Sequence, residues 1–294
     1  MTMASKEAAR RPKFHTVTDP KKSPVLTIVV GMYLFYALVP FVWLVINATK
    51  TKADFISTFG LSFGRSFALW NNLVEVFTYN DGIFGRWVLN TVGYTVVGTV
   101  VSVLLAAMGG YALSKLEFGG RRAIMLVILG SMAVPGVALV IPQFLMFSAM
   151  GITNTPWAVI IPSFLNPFGL YLMWTFFAQS VPDSLLEAAR IDGAGEARIF
   201  FQIVVPIMKP SIVSVAILEA MWIWNDYLLP YLTLDLGKYK TVSVAVQYLK
   251  GGYGSVDMGA MMACLVLAII PIIVFYLVCQ KYIVSGVMAG AVKG

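Results

Sequence analysis

Six apolar segments, each long enough to cross a lipid bilayer, constrain this chain more than any other feature of its sequence. A bilayer core about 30 Å thick needs roughly 20 apolar residues in a helix. Charged residues make up only 12% of the 294 positions, about half the fraction usual in soluble domains. The sequence therefore predicts an all-α membrane protein with six transmembrane helices, at 25–48, 87–113, 123–147, 157–177, 211–232 and Met258–Gln280.

Lysine and arginine residues fall mostly on one side of the predicted bilayer. Of the 21 basic residues, 14 lie in 1–24, 114–122, 178–210 and 281–294. Basic loops tend to stay in the cytoplasm, so both termini and the 178–210 loop are predicted to be cytoplasmic. The basic tail is interpreted as a topology signal, and no nucleic-acid partner is predicted. The predicted organisation is a cytoplasmic basic tail, a first helix with an external connector, and a core of five helices, at 1–24, 25–86 and 87–294.

Prolines and glycines occur within several of these spans. Pro135 and Pro142 lie in the third span, where a missing backbone donor kinks a helix. Gly98 and the Gly109-Gly110 pair lie in the second span, where small residues let membrane helices approach closely. We therefore expect bends in the third span and close helix packing along the second.

The loop at 178–210 is too long for a turn between two spans and too short for a domain. It carries Glu187-Ala188-Ala189-Arg190 and then Gly193, and it holds charges of both signs. Gly193 permits a left-handed backbone that other residues resist. Two short helices joined at this glycine would form a knob, which is predicted to dock on a soluble partner.

Each helix of the knob has a predicted start or end. Ser184 and Glu187 are spaced as in a capping box, which begins a helix, and this helix is expected to reach Ile191. The second helix is expected at about 196–204, because Pro206 does not continue a helix. On the first helix, the small or apolar residues predicted to enter a groove of the partner are Leu185, Leu186, Ala188 and Ala189.

The same loop carries a family resemblance. Glu187-Ala188-Ala189, Gly193 and then Ile203-Val204-Val205-Pro206 resemble the signature loop of permease subunits in binding-protein-dependent ABC importers, with valine where leucine is usual. Trp224-Asn225-Asp226 and the C-terminal segment 282–294 are similar to carbohydrate permeases of the maltose-transport type, specifically the smaller of their two membrane subunits. The resemblance covers roughly 87–294.

This resemblance implies a type I ABC importer permease fold, in which the first loop helix is a coupling helix that docks on an ATPase. The implied partners are a second permease, two ATP-binding subunits and an extracellular or periplasmic solute-binding protein, at a bacterial or archaeal cell membrane. ATP and Mg would be bound by the ATPase, with no cofactor on this chain. The implied contact residues are Glu187, Ala188, Ala189, Arg190 and Gly193 for the ATPase, and Tyr248, Gly251, Gly252 and Tyr253 for the binding protein. For the last four residues, the alternative is a passive connector whose tyrosines rest on the lipid headgroups.

No phosphate-binding loop occurs in the sequence, since Gly237-Lys238 lacks the preceding glycine and the following hydroxyl residue. The energy for moving a sugar or oligosaccharide would then come from a partner ATPase. The alternative is an ion gradient, as in a gradient-driven transporter or a channel. Enzymatic activity is not expected, because the single histidine, His15, lies in the basic tail.

Glu219 and Asp226 are the only acidic residues in the predicted spans, and their spacing of seven places them on one helix face. Ionisable groups in a membrane are costly and often functional, while a hydrogen-bonded helix contact is the alternative for Glu219. Amides and aromatic rings suit a sugar ligand, although tryptophans also anchor helices at the membrane interface. The candidates for the substrate path are Glu219, Trp222, Trp224, Asn225 and Asp226.

Overall fold

The computed structural model describes residues 24–235, 237–248 and 257–291, without side chains for 247–248 and 281–291. Every regular element among these residues is a helix. The predicted all-α class is therefore confirmed. The basic tail up to residue 23 lies outside the described residues.

Helix α1 (Pro24–Ala48) has 25 residues and no charged side chain. Among the described residues, 24–43 belong to one unit, and a second unit begins at Leu44. In the first unit the described side chains are mostly exposed and apolar, which suits contact with lipid chains. Helix α1 thus has the length and composition that the first predicted span requires.

The second unit continues with the short helices α2 (Lys52–Ser57) and α3 (Leu69–Thr78), followed by the 33-residue helix α4 (Ile83–Lys115). Helix α4 begins after Gly82, which adopts a left-handed conformation at a φ of 77°. It contains the second predicted span and extends beyond it at both ends. Its length exceeds what a bilayer core alone requires.

The third predicted span is a bent pair of helices, and the expectation of one helix over 123–147 is wrong. Helix α5 (Arg121–Met132) and helix α6 (Gly136–Ala149) meet at 100°. The break precedes Pro135, which has no backbone N–H and disfavours helical geometry in the residue before it. Pro142 lies inside α6 without ending it.

Two helices make up the fourth predicted span. Helix α7 (Trp157–Ser163) leads into helix α8 (Pro167–Ser180), and together they form an apolar stretch of 24 residues. Asn166 caps α8, because its side-chain Oδ1 accepts a hydrogen bond of 2.8 Å from the Gly169 N–H. Pro167 follows at the first helical position, where its missing donor costs nothing.

After α8 the chain forms helices α9 (Asp183–Ile191) and α10 (Glu196–Ile199), a π-helical turn (Phe200–Val204), and helices α11 (Val205–Ile207) and α12 (Lys209–Asn225). The remaining helices are α13 (Leu228–Thr233), α14 (Val242–Tyr248) and α15 (Met258–Ala291). The expectation of a fifth span as one helix over 211–232 is wrong. Helix α12 ends at Asn225 because Asp226 has an extended backbone, with ψ at 127°.

Four helices of the described residues have the length and composition for a span, and the count becomes six only if each of two bent pairs is one span. Within the second unit, helix α4 packs against both α8 and α12, while α15 packs on α12 and α3. At Gly110 a Cβ atom would lie 2.7 Å from the Trp174 backbone nitrogen, so only glycine allows α4 and α8 to approach this closely. The expected role of small residues in the second span is confirmed there.

Candidate functional site

Helix α9, which carries the Glu187-Ala188-Ala189 sequence, packs with one side on the rest of the chain. Leu186 and Ala189 belong to a buried cluster that includes Tyr111 of α4 and Phe177 of α8. Glu187, Ala188 and Ile191 are exposed, and Ile191 has 86% of its surface accessible. Helix α9 therefore presents one apolar side to the core and a different face outwards.

The turn after α9 follows from Gly193, whose φ is 81°. The Ala194 N–H donates to the Ala189 carbonyl and the Gly193 N–H donates to the Arg190 carbonyl, both at 3.0 Å. This pair of bonds is the Schellman motif, which ends a helix at a left-handed glycine. The two loop helices are thus joined at Gly193 as predicted, and the turn at 192–195 is called the glycine elbow below.

Two ion pairs fix the elbow to its surroundings. Arg190 Nε lies 2.7 Å from Glu196 Oε1, and Lys115 Nζ lies 2.8 Å from Asp183 Oδ1. The Tyr111 hydroxyl donates to Glu196 Oε2 at 2.8 Å, so α10 is also bound to the end of α4. Helices α9 and α10 are therefore tied to each other and to α4.

The two ion pairs and the Tyr111 hydrogen bond also stabilise the charged forms of Glu196, Arg190 and Asp183. Hydrogen bonding from Arg190, together with that from Tyr111, holds the pKa of Glu196 below its usual range, although burial opposes this. The Glu196 partner in turn raises the pKa of Arg190. The hydrogen bond from Lys115 lowers the pKa of Asp183. All three groups remain charged near neutral pH.

Two expectations about the ends of these helices are wrong. Helix α9 begins at Asp183 after Pro182 and has no side-chain cap, so the capping box of Ser184 and Glu187 does not form. An acidic residue in the first turn, held by Lys115, favours the helix start instead. The second helix continues to Ile207, because a π-helical turn precedes Pro206 and the Val205 N–H bonds back to the Phe200 carbonyl.

The five residues predicted to contact an ATPase lie together, but they do not share one face. Glu187, Ala188, Arg190 and Gly193 are exposed, whereas Ala189 is 7% exposed and lies in the chain's own core. The expectation that Leu186 and Ala189 enter a partner's groove is therefore wrong for the described chain. Ile191 was missed, although its spacing of four from Glu187 and three from Ala188 places it on their face.

The candidates for the substrate path are divided between different faces of α12. Glu219 is buried and accepts a hydrogen bond from the Asn166 side chain, which matches the helix-contact alternative. Trp224 is 9% exposed, while Trp222 is 73% exposed. Asn225 is exposed, and its amide donates to the Met221 carbonyl at 2.7 Å.

Asp226 does not share a helical face with Glu219 as expected, because α12 ends one residue before it. Its side chain is half-buried at the start of the link to α13. The candidates therefore differ in burial, since Glu219 and Trp224 are buried while Trp222 and Asn225 are exposed. Trp222 and Asn225 alone lie on one exposed stripe, since residues three apart are neighbours on a helix.

The connector between α13 and α15 is attached to α4 by side chains that sequence reasoning missed. Asn90 donates to the carbonyls of Lys238 and Lys240, at 2.6 and 3.0 Å. The Thr91 hydroxyl accepts from the Val242 N–H at 2.9 Å, and the Tyr94 hydroxyl donates to the Tyr239 carbonyl at 2.9 Å.

Among the residues predicted to contact a binding protein, only Tyr248 has a described backbone, at the end of α14. Gly251, Gly252 and Tyr253 lie outside the described residues. Residues 237–246 of this connector are therefore held on α4 and are called the stem below.

The long apolar helices have the length and composition of membrane spans, and a charged helix pair is fixed at one end of α4. Residues 98–288 match the family described as the binding-protein-dependent transport system inner membrane component. Since this match spans more than half of the sequence, the chain belongs to that family. The membership favours an importer permease over a gradient-driven transporter or a channel.

Individual relatives agree over nearly the full chain. The arabinooligosaccharides transport system permease protein of Halalkalibacterium halodurans is 31% identical over 278 residues, covering 94% of this chain and 99% of that protein. The trehalose transport system permease protein of Mycobacterium tuberculosis is 33% identical over 300 residues, covering 97% and 99%.

A solved structure supports the fold. A bacterial ABC transporter involved in the import of the acidic polysaccharide alginate matches with a TM-score of 0.76 at 25% identity. The match covers 90% of this chain and 99% of the transporter chain. The predicted ABC importer permease fold is thereby confirmed.

Proposed function

We propose that this chain is a permease subunit that moves a sugar or oligosaccharide into the cytoplasm, driven by a separate ATP-binding subunit docked on α9. The relatives' names, arabinooligosaccharides and trehalose, support a carbohydrate substrate. The observation that carries the docking surface is the outward face of α9, where Glu187, Ala188 and Ile191 are exposed beside buried Leu186 and Ala189.

This outward face combines a carboxylate with a small and a large apolar residue. An interface gains most of its energy from a few well-buried apolar or aromatic anchors, with charges at the rim. Ile191, at 86% exposure, is the anchor in this proposal, and Glu187 is the rim charge. Arg190 is already paired with Glu196, so its contribution is to hold the elbow.

The Lys115–Asp183 ion pair and the Tyr111–Glu196 hydrogen bond connect α9 and α10 to α4. A movement of the docking surface would therefore be transmitted to α4. Helix α4 packs on α8 and α12, so a displacement of α9 by a closing ATPase would reach the centre of the bundle. In this arrangement the termini and α9 are cytoplasmic, ATP and Mg bind to two partner subunits, and a second permease completes the pathway. An external solute-binding protein delivers the sugar near the α13–α15 connector.

The test removes the anchor and the rim charge separately. In the assembled transporter, Ile191→Asp is expected to weaken ATPase association roughly 10- to 100-fold, because a buried isoleucine contributes about 1.5–3 kcal/mol. Glu187→Lys is expected to have a smaller effect in the same direction. The matched control is Glu117→Lys, a charge reversal at an exposed residue outside α9. Copurification of the ATP-binding subunits and uptake of labelled trehalose and arabinooligosaccharide are measured together.

Normal copurification and uptake in both α9 variants would reject the docking surface. Uptake that persists without the ATP-binding subunits and collapses with an ionophore would instead support the gradient-driven alternative. Uptake that depends on ATP but accepts neither sugar would leave the coupling intact and reject the proposed substrate class.

A further inference from the structure

A cavity of about 790 Å³ lies where the end of α4, the link to α5, the first turns of α5 and the middle of α8 meet. Its lining is mostly apolar and includes Leu113, Phe118 and Leu126, and it also includes the two basic residues Arg121 and Arg122. None of these residues belongs to α9 or to the substrate-path candidates. The cavity is therefore a separate feature of the molecule.

The two arginines leave most of their donors available. Arg121 is held by α4, because Nη2 donates to the Ser114 carbonyl at 3.2 Å and Nη1 donates to the Leu116 carbonyl at 3.4 Å. A guanidinium has five N–H donors in a planar fork that matches phosphate oxygens. Arg122 is exposed and, within the described part of the chain, its side chain forms no hydrogen bond or ion pair.

The nearby acidic residue does not neutralise them. Glu117 precedes the arginines in the α4–α5 link and is exposed. Across the described ranges it forms an ion pair with neither arginine. The lining of the cavity therefore includes two positively charged residues, which favours an anionic ligand.

The rest of the cavity lining is uncharged and mostly apolar, which favours a hydrocarbon group on the ligand. The Trp174 indole donates to the Leu113 carbonyl at 3.2 Å, which fixes this part of the wall. Leu126 is 62% exposed, and Ile124 and Val127 on the same helix are exposed as well. A soluble phosphate ion would use the arginines alone, whereas a ligand with both an anionic group and a hydrocarbon chain would use the whole cavity.

We propose that this cavity binds an anionic phospholipid of the surrounding bilayer, with its phosphate on Arg121 and Arg122 and an acyl chain along Leu126. Basic side chains at a membrane surface attract anionic lipids, and long basic residues hold their charge at the headgroup level. The site rests on the membership in an inner-membrane family and is independent of which sugar is carried.

The test uses the assembled transporter in detergent supplemented with equal amounts of phosphatidylglycerol and phosphatidylcholine. Native mass spectrometry counts the lipids that the complex retains. Wild type is expected to prefer phosphatidylglycerol, and Arg121→Gln with Arg122→Gln is expected to lower this preference roughly 25-fold, about fivefold for each arginine. The matched control is Arg65→Gln with Arg86→Gln, which removes the same charge from exposed arginines before and at the start of α4.

Two single variants distinguish a loss of lipid binding from a folding defect in the double variant. Arg122→Gln disturbs no described hydrogen bond and is expected to lower phosphatidylglycerol retention about fivefold on its own. Leu126→Asn keeps both arginines and is expected to lower lipid retention without changing the binding of inorganic phosphate.

Equal phosphatidylglycerol retention in the variant and control pairs would overturn the proposal. Displacement of the lipid by inorganic phosphate, with Leu126→Asn behaving as wild type, would also overturn it in favour of a soluble anion. Loss of the ATP-binding subunits from the Arg121 and Arg122 variants, with lipid retention unchanged, would assign the arginines to a protein contact and overturn it as well.

Discussion

Arg190 and Glu196 form an ion pair across the glycine elbow, with Nε and Oε1 separated by 2.7 Å. The two side chains are 39% and 44% exposed, and exposed ion pairs contribute only about 0.2–1 kcal/mol to stability. The importance of this pair is therefore positional. Because Glu196 also accepts the Tyr111 hydroxyl, the pair connects the outward helix α9 to the central helix α4.

Removal of the Tyr111 hydroxyl is expected to impair coupling more than assembly. Tyr111→Phe keeps the aromatic contacts with Phe177 and Phe200 but removes the hydrogen bond between α4 and α10. A hydrogen bond to a charged group contributes about 1.5–3 kcal/mol to stability. This is the largest loss of stability that we expect in the variant. We expect fewer sugar molecules transported for each ATP hydrolysed, measured in proteoliposomes.

Tyr171→Phe is the control for this prediction, since within the described residues the Tyr171 hydroxyl has no hydrogen bond. It should leave the ratio of transport to hydrolysis unchanged. An unchanged ratio in Tyr111→Phe as well would show that the Tyr111 bond transmits nothing.

The elbow should also weaken in acid. The pKa of Glu196 lies below its ordinary value of 4.5, chiefly because Arg190 donates a hydrogen bond to it. A lowered carboxyl pKa stabilises the folded state above pH 4.5, and this contribution is lost as the pH falls through the lower folded pKa. The difference in Tm between wild type and Glu196→Gln should therefore be measurable at neutral pH and shrink well below pH 4.5. A difference independent of pH would separate the effect from ionisation.

Two glycines of the elbow allow a matched pair of substitutions. Gly193 has a φ of 81°, so Gly193→Ala forces an L-residue into left-handed geometry, at a cost of about 1–2 kcal/mol. Gly195 has a φ of −73°, and a Cβ atom added at either position would have open space within 4 Å. We expect Gly193→Ala to reduce ATPase copurification and uptake several-fold, while Gly195→Ala stays near wild type. Equal behaviour of the two variants would contradict a role for the left-handed turn.

The sequence predicts best what short stretches determine. The Schellman turn at Gly193 depends on one residue's backbone freedom, so its position was predicted correctly. The break before Pro135 was expected only as a bend, because surrounding helices decide whether a proline kinks a helix or ends it. The Tyr111–Glu196 bond joins residues 85 positions apart, and no local pattern indicates it. Burial of Ala189 likewise depends on the packing of α4 and α8 beneath α9.

The stem of the α13–α15 connector gives the last prediction. Asn90 donates to two backbone carbonyls of this stem, those of Lys238 and Lys240, so Asn90→Ala should loosen the attachment of the stem to α4 without removing apolar packing. The hydrogen bonds that Thr91 and Tyr94 form with the stem remain. If the binding protein docks on this connector, a less firmly attached stem should weaken the coupling between that docking and ATP hydrolysis. We expect sugar-loaded binding protein to stimulate ATP hydrolysis several-fold less in reconstituted complexes, with basal hydrolysis unchanged. The control is Asn71→Ala. Asn71 is exposed, and its side chain forms no hydrogen bond among the described residues. Full stimulation in Asn90→Ala would mean that the stem is a passive connection.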